Sequence, residues 1–188
     1  RQLALQVAGM VKLQESAEMK AAYAAAAKVA LDDAQSAQKR RSAVAMLAGA
    51  PYEVVAPTVQ GLLDPRQPLD LQLAAVAALS LADEPEAGSL LLDGFNRYTP
   101  KVQAAVVEAV FSRRNRLPKL LDAIEKGTVP ASALDPIRQL QLTESSDAEV
   151  RRRARSLLAE RARGNRKEVM TRYRRALSLE RDAARGKK

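Results

Sequence analysis

The chain has 188 residues, 47% of them apolar, with four Tyr, two Phe and no Trp. It contains neither Cys nor His, which excludes disulfides, thiolate and imidazole metal sites, cysteine nucleophiles and Ser-His-Asp catalysis. The net charge is +9, yet acidic and basic residues balance over residues 1–137, so the whole excess lies in residues 138–188 and invites an anionic partner for that end.

Ala and Leu dominate, both strong helix formers, and no alternating segment bounded by turn residues reads as a strand. No apolar run approaches the roughly 20 residues of a membrane-spanning helix. A first helix is predicted over about residues 2–13 and a second over Glu18–Asp33. There the run Ala21–Ala27, broken only by Tyr23, suits a close helix–helix contact anchored by Met19, Val29 and Leu31. The next helix carries Lys39–Leu47 and ends near Gly49-Ala50-Pro51; its partner bears Val54, Val55, Thr58, Val59, Leu62 and Leu63 on one side. Pro57 is expected to bend that helix or delay its start.

After a turn at Asp64–Pro68 comes Leu71–Leu79, and Asp83-Glu84-Pro85 launches a partner whose inner face uses Leu91, Leu92 and Phe95. Thr99-Pro100 reads as an N-cap with proline in the first turn of a helix carrying Val102–Val110. Leu117, Leu120, Leu121 and Ile124 mark its partner, closed by Gly127. The segments starting at Lys39, Leu71 and Val102 are copies of one pattern, with small or apolar residues at +3, +4, +7 and +8 and starts 32 and 31 residues apart. Stacked helical repeats have this period, and such arrays work as extended surfaces that hold partners.

The spacing then breaks. Pro130–Leu142 holds a short helix interrupted by proline, and Ser146 with Glu149 has the form of a capping box. The helix that follows repeats the pattern through Val150, Ala154, Leu157 and Leu158, 48 residues beyond Val102. A last helix is expected from Arg166 to Ala184, with Val169, Tyr173, Ala176, Leu177 and Ala184 as its stripe. This divides the chain into an array over residues 1–163, with an irregular unit at about 128–146, and a basic C-terminal helix over 164–188 that caps it.

Asp147-x-x-Val150-Arg151-x-x-Ala154-x-x-x-Leu158 resembles the second half of a HEAT-like repeat; tetratricopeptide and ankyrin signatures are absent. The fold expected is therefore all-α, a right-handed αα-solenoid of HEAT-like, armadillo-like repeats. Leu120-Leu-Asp-Ala-Ile-Glu-Lys-Gly127, Val129-Pro130, Arg166-Lys-Glu-Val-Met-Thr-Arg-Tyr173 and Ala176-Leu-Ser-Leu179-x-x-Asp182-x-x-Arg185-Gly186-Lys187 follow in order. Together they resemble the HEAT-repeat segment of PVC-type haem-binding, membrane-bound-dehydrogenase-like proteins. In that family a dehydrogenase-like propeller precedes the repeats and a c-type cytochrome follows. The resemblance implies a periplasmic or otherwise extracytoplasmic parent, cut before its haem motif; Arg181 stands where that family's tail usually has Gly. Haem c would belong to the missing downstream domain, and no cofactor is expected within these residues.

The candidate contact surface for an acidic partner or phosphate is Arg151, Arg152, Arg153, Arg155, Arg161, Arg163, Arg166 and Lys167. The competing reading is a solvated helix face whose Arg stems cover apolar neighbours. Tyr173 is the one aromatic there, which favours a solvated face over base stacking. Some HEAT-like folds excise alkylated bases, and Asp32, Asp33, Asp93 and Asp122 are the carboxylates available, without Trp to cradle a lesion. A membrane-surface role for Arg166–Lys188 is a third reading, weakened by a modest apolar stripe. The expectation is a non-catalytic scaffold for protein–protein or interdomain contacts, the spacer of a larger redox protein. The alternative is a basic nucleic-acid-binding protein, including an alkylpurine DNA glycosylase-like enzyme.

Overall fold

Helices supply all the regular structure of residues 17–177, the part of the chain that the computed structural model describes. The predicted helix at 2–13 and residues 178–188 lie outside it. The helices are α1 (Ala17–Leu31), α2 (Ala37–Leu47), α3 (Tyr52–Leu62), α4 (Leu69–Ser80), α5 (Glu86–Asp93), α6 (Pro100–Phe111), α7 (Leu117–Glu125), α8 (Pro136–Thr143) and α9 (Ala148–Leu177). The chain forms two compact units, divided between Val129 and Pro130. The division falls inside the segment where the repeat spacing breaks.

In the first unit each helix packs on its chain neighbour and on the helix two further on. One series runs α1, α3, α5, α7 and the other α2, α4, α6. Short connections between antiparallel helices produce this pattern, because each amphipathic face must be covered by the next hairpin. Every copy of the repeat buries positions +4, +5 and +8: Ala43, Val44 and Leu47; Ala75, Val76 and Leu79; Val106, Val107 and Val110. The expected +3 residues, Ser42, Ala74 and Ala105, are not buried; at +7 Ala78 and Ala109 are buried as expected, while Met46 is exposed. The buried stripe thus differs from the expected one in taking Val44, Val76 and Val107 at +5 in place of the +3 residues.

The other series buries Leu62, Leu91, Leu92, Leu120, Leu121 and Ile124, as the apolar spacing predicted. In α1 the contact is narrower than expected. Ala26 and Ala30 are buried, while Met19 and Leu31 are exposed, so the close approach is made by small residues rather than by flanking anchors. Helix α3 begins at Tyr52 with Pro57 inside it, which removes the delayed start. Gly127 closes α7 with φ 77°, a left-handed conformation that favours glycine.

The second unit holds α8 and α9 packed on each other, burying Leu142, Val150, Ala154 and Leu157. Asp135 caps α8 by accepting the Arg138 N–H at 2.8 Å. The carboxylate capping α9 belongs to Asp147, whose Oδ1 accepts the N–H groups of Glu149 (2.8 Å) and Val150 (3.1 Å). Glu149, cast as the reciprocal member of a Ser146 capping box, instead pairs with Arg152. Asp147→Ala should cost about 1 kcal/mol, the usual value of a lost N-cap, measured by urea unfolding; an unchanged midpoint would show that the cap contributes nothing.

Two predicted helices become one here. α9 runs unbroken from Ala148 to Leu177 through Gly164, because one glycine costs only about 1 kcal/mol in a helix and the flanking residues are good helix formers. Tyr173, assigned to the inner stripe of the last helix, is 70% exposed.

Candidate interaction surface

The arginine cluster is largely engaged with its own connection. Arg151 donates to the carbonyl of Ser145. Arg155 donates to the Thr143 carbonyl (3.0 Å) and to Glu144 Oε1 (2.8 Å). Arg152 forks onto Glu149 at 3.0 and 2.6 Å, and that hydrogen bonding holds the Glu149 carboxyl below its ordinary range. These arginines therefore tie down residues 143–149, although exposed pairs of this kind add little stability. Arg153 lies on the same turns. Arg161, Arg163, Arg166 and Lys167 continue along α9, with side chains outside the described ones.

A second set of cations and amides, unforeseen from sequence, sits in the first unit. Position +1 of each repeat copy is polar: Arg40, Gln72 and Gln103. Each reaches back to a main-chain carbonyl, Arg40 Nε to Ala30 (2.9 Å), Gln72 Nε2 to Gln67 (2.7 Å) and Gln103 Nε2 to Phe95 (2.9 Å). Arg40 also pairs with Asp33 at 2.8 Å and donates to Gln67 Oε1 at 2.7 Å, linking two successive hairpins.

Arg116 goes further. Its side chain is wholly buried and donates to the carbonyls of Leu79 (3.1 Å), Ser80 (3.2 Å), Ala82 and Ala109 (2.9 Å). Burial lowers its affinity for the proton, and the carbonyl oxygens replace the lost water. Beside it Asn115 donates to the Asp83 carbonyl at 2.7 Å and Arg113 to the Leu81 carbonyl at 3.3 Å. These last two bonds each join residues 32 positions apart, one repeat period.

The predicted carboxylates have separate roles. Asp32 accepts from the Ala34 N–H and from Gln35, both at 3.0 Å, and is lowered by those bonds; it shapes a turn. Asp33 holds Arg40. Asp93 and Asp122, however, belong to a motif that occurs three times: Leu62-Leu63-Asp64, Leu91-Leu92-Asp93 and Leu120-Leu121-Asp122, at intervals of 29 residues. The leucines are buried and the aspartates face outward at the ends or surfaces of α3, α5 and α7. The 29-residue interval was legible in the chain but was masked by the longer 31–32 spacing of the other series.

A cleft lies between each successive pair. The first, about 190 Å³, is lined by Gln60, Leu63, Asp64, Asp93, Arg97 and Tyr98 among others. The second, about 130 Å³, is lined by Ser89, Asp93, Lys119, Asp122, Lys126 and Thr128 among others. Arg66 donates to Asp64 through Nε (3.0 Å), Nη2 (2.9 Å) and its own N–H (2.9 Å), which holds that carboxyl far below the usual range. Burial raises the Tyr98 phenol.

Tyr98 also explains Gly94. A Cβ there would stand 2.4 Å from the Tyr98 hydroxyl oxygen, so Gly94→Ala should lower the unfolding midpoint by the equivalent of about 1–3 kcal/mol. Tyr98→Ala in the same chain should erase most of the difference between Gly and Ala; a persistent difference would place its cause elsewhere.

Both clefts are smaller than the 300–1,000 Å³ typical of small-molecule pockets. Among the described residues no group of three or more Asp or Glu is arranged to hold a metal ion, and no helix is long and apolar enough to cross a membrane. Comparison with known protein families, curated proteins and solved structures finds no match.

Proposed function

We propose that the chain is a right-handed αα-solenoid of HEAT-like repeats, a non-catalytic scaffold for protein–protein or interdomain contacts. The observation that carries this is the pair of bonds Asn115–Asp83 and Arg113–Leu81. A hydrogen bond whose separation equals the sequence period is what joins one repeat to the next in a stacked array. The two series of helix contacts support the same reading.

Excising one period, residues 71–101, tests it. A solenoid loses one layer and stays helical, so the distance between fluorophores placed on α2 and α7 should shorten by about 8–10 Å, the spacing of packed helices. Loss of cooperative helical folding would sink the array reading.

The spacer of an extracytoplasmic, haem c-containing redox protein is the narrower form of the proposal. With neither Cys nor His, the chain cannot attach or ligate haem through the usual residues, so any haem belongs to a neighbouring domain. The test is the reading frame after Lys188, which should encode Cys-x-x-Cys-His within about forty codons; a stop codon there rejects it.

A further inference from the structure

We propose that the distal half of α9 lies along an anionic lipid surface, its apolar stripe in the headgroup–acyl boundary and its arginines on the lipid phosphates. The inference goes beyond the scaffold reading and does not depend on the three repeat copies, which lie in the other unit.

Helix α9 has two apolar faces. Val150, Ala154 and Leu157 are buried where α8 packs on it. α8 has 8 residues and α9 has 30, about 12 and 45 Å of helix, so α8 covers only the first turns. Beyond them, at about 100° per residue, Val169, Met170, Tyr173, Ala176 and Leu177 fall in one arc about 120° wide. By the same register its centre is turned about 130° from the face that meets α8. The stripe is therefore not a continuation of the core of that unit. Because α9 runs unbroken through Gly164, Leu158 and Ala162 join the same arc, which makes the stripe longer than a separate helix from Arg166 would carry. Met170 and Tyr173 on this stripe are 57% and 70% exposed.

Charge borders the stripe on both sides. Residues 161–177 carry seven cations against one carboxylate, Glu168. Helical register sets Arg161 and Arg172 along one edge of the arc, and Arg163, Lys167 and Arg174 along the other. Glu168 and Thr171 fall on the far side. An interfacial helix has this layout, because its stripe enters about 5–10 Å into the boundary while flanking cations reach the phosphates beside it. Tyrosine is favoured at that depth. Among the described residues no helix is long and apolar enough to cross a membrane, so α9 lies on the surface and does not span it.

Two features select lipid over other anionic partners. Arg166 falls inside the arc, and a guanidinium enclosed in a protein groove needs a buried partner. At a bilayer an arginine stem lies among acyl chains with its head among phosphates. A nucleic-acid backbone would leave the stripe in water, and Tyr173 alone cannot supply the successive stacking platforms that single strands use.

The chain has no Trp, so Tyr173→Trp places a lone fluorophore on the stripe. The 188-residue chain carrying it is titrated with phosphatidylcholine vesicles containing about one-third phosphatidylserine, an anionic lipid. The emission should shift to the blue and be quenched by lipids brominated on their acyl chains. Pure phosphatidylcholine vesicles should bind at least tenfold more weakly, because several cations add to the attraction. In the same background Met170→Asp should weaken binding to the anionic vesicles at least tenfold. Thr171→Asp makes the same charge change on the polar side and should weaken it about threefold or less. Circular dichroism of both variants checks that they keep equal helicity; if Met170→Asp loses it, Met170→Gln takes its place with Thr171→Gln as its control, since Gln is as good a helix former as Met. The proposal is overturned by absence of a blue shift, by equal affinity for the two kinds of vesicle, or by equal losses at positions 170 and 171. A single-stranded oligonucleotide that shifts the emission equally would also overturn it and assign the face to nucleic acid.

Discussion

Arg116→Ala is expected to destabilise the first unit by about 3–5 kcal/mol, because it empties a fully buried site and withdraws the guanidinium donors from four carbonyls, of which only Leu79 and Ala109 keep another donor, the Ala82 N–H and the Ser112 hydroxyl. Those of Leu79 and Ser80 end α4, that of Ala82 lies just beyond it, and that of Ala109 lies near the end of α6. A helix end buried without donors is costly. Arg116→Lys should recover little of the loss, since an ammonium is a point charge with three donors and cannot span the fork. Arg116→Met should restore packing without returning the donors to Ser80 and Ala82, and so fall between alanine and the parent.

Urea unfolding followed by far-ultraviolet circular dichroism reads all three, with an unchanged m-value showing that the native state alone is affected. A loss below about 1 kcal/mol for alanine would mean that water replaces the guanidinium. Gly88 supplies an internal check. A Cβ there would lie 3.1, 3.3 and 3.6 Å from Cβ, Cγ and Cδ of Arg116; alanine keeps the first and removes the other two, so Gly88→Val should cost less in the Arg116→Ala background than in the parent.

Phe95→Ala is expected to cost about 3–5 kcal/mol, the usual loss for a fully buried aromatic. The residue is 0% exposed in the 3-10 turn joining α5 to α6, and its carbonyl accepts Gln103 Nε2. Truncation therefore opens a cavity at the point where one hairpin hands over to the next. Phe95→Leu should cost far less, because most of the volume is kept. Leu81→Ala, at a residue 58% exposed, should stay within about 0.5 kcal/mol. Thermal and urea midpoints measured together check the ranking; similar losses at Phe95 and Leu81 would show that burial is not what governs it.

Much of the helical layout was legible before the structure. The pairs Leu91/Leu92 and Leu120/Leu121 and the copies ending in Leu47, Leu79 and Val110 marked the buried faces correctly, because helical spacing of apolar residues is a local signal. Positions +4 and +8 of the expected stripe are buried in every copy, while +5 is buried where +3 was expected, since a helix packed on two neighbours buries a different arc from the one periodicity describes. The last helix expected to start at Arg166 is the continuation of α9 through Gly164, because a single glycine costs a helix only about 1 kcal/mol. Tyr173 was assigned inward on periodicity, which cannot tell what a face meets.

The candidate surface was harder to find. Eight basic residues stood out by charge alone, yet Arg151, Arg152 and Arg155 are occupied by carbonyls and carboxylates of residues 143–149. The row Asp64, Asp93, Asp122 was present as a 29-residue interval, but a single aspartate has no local signature that separates a cap from a contact. By itself, the sequence determined an all-helical chain with a 31–32-residue period, no cysteine or histidine chemistry, and a basic last quarter. All of these follow from residue type and spacing along one helix. Tertiary structure decided which charges are spent and which are free, because a guanidinium at Arg116 and one at Arg97 differ only in the carbonyls and water that folding brings to them.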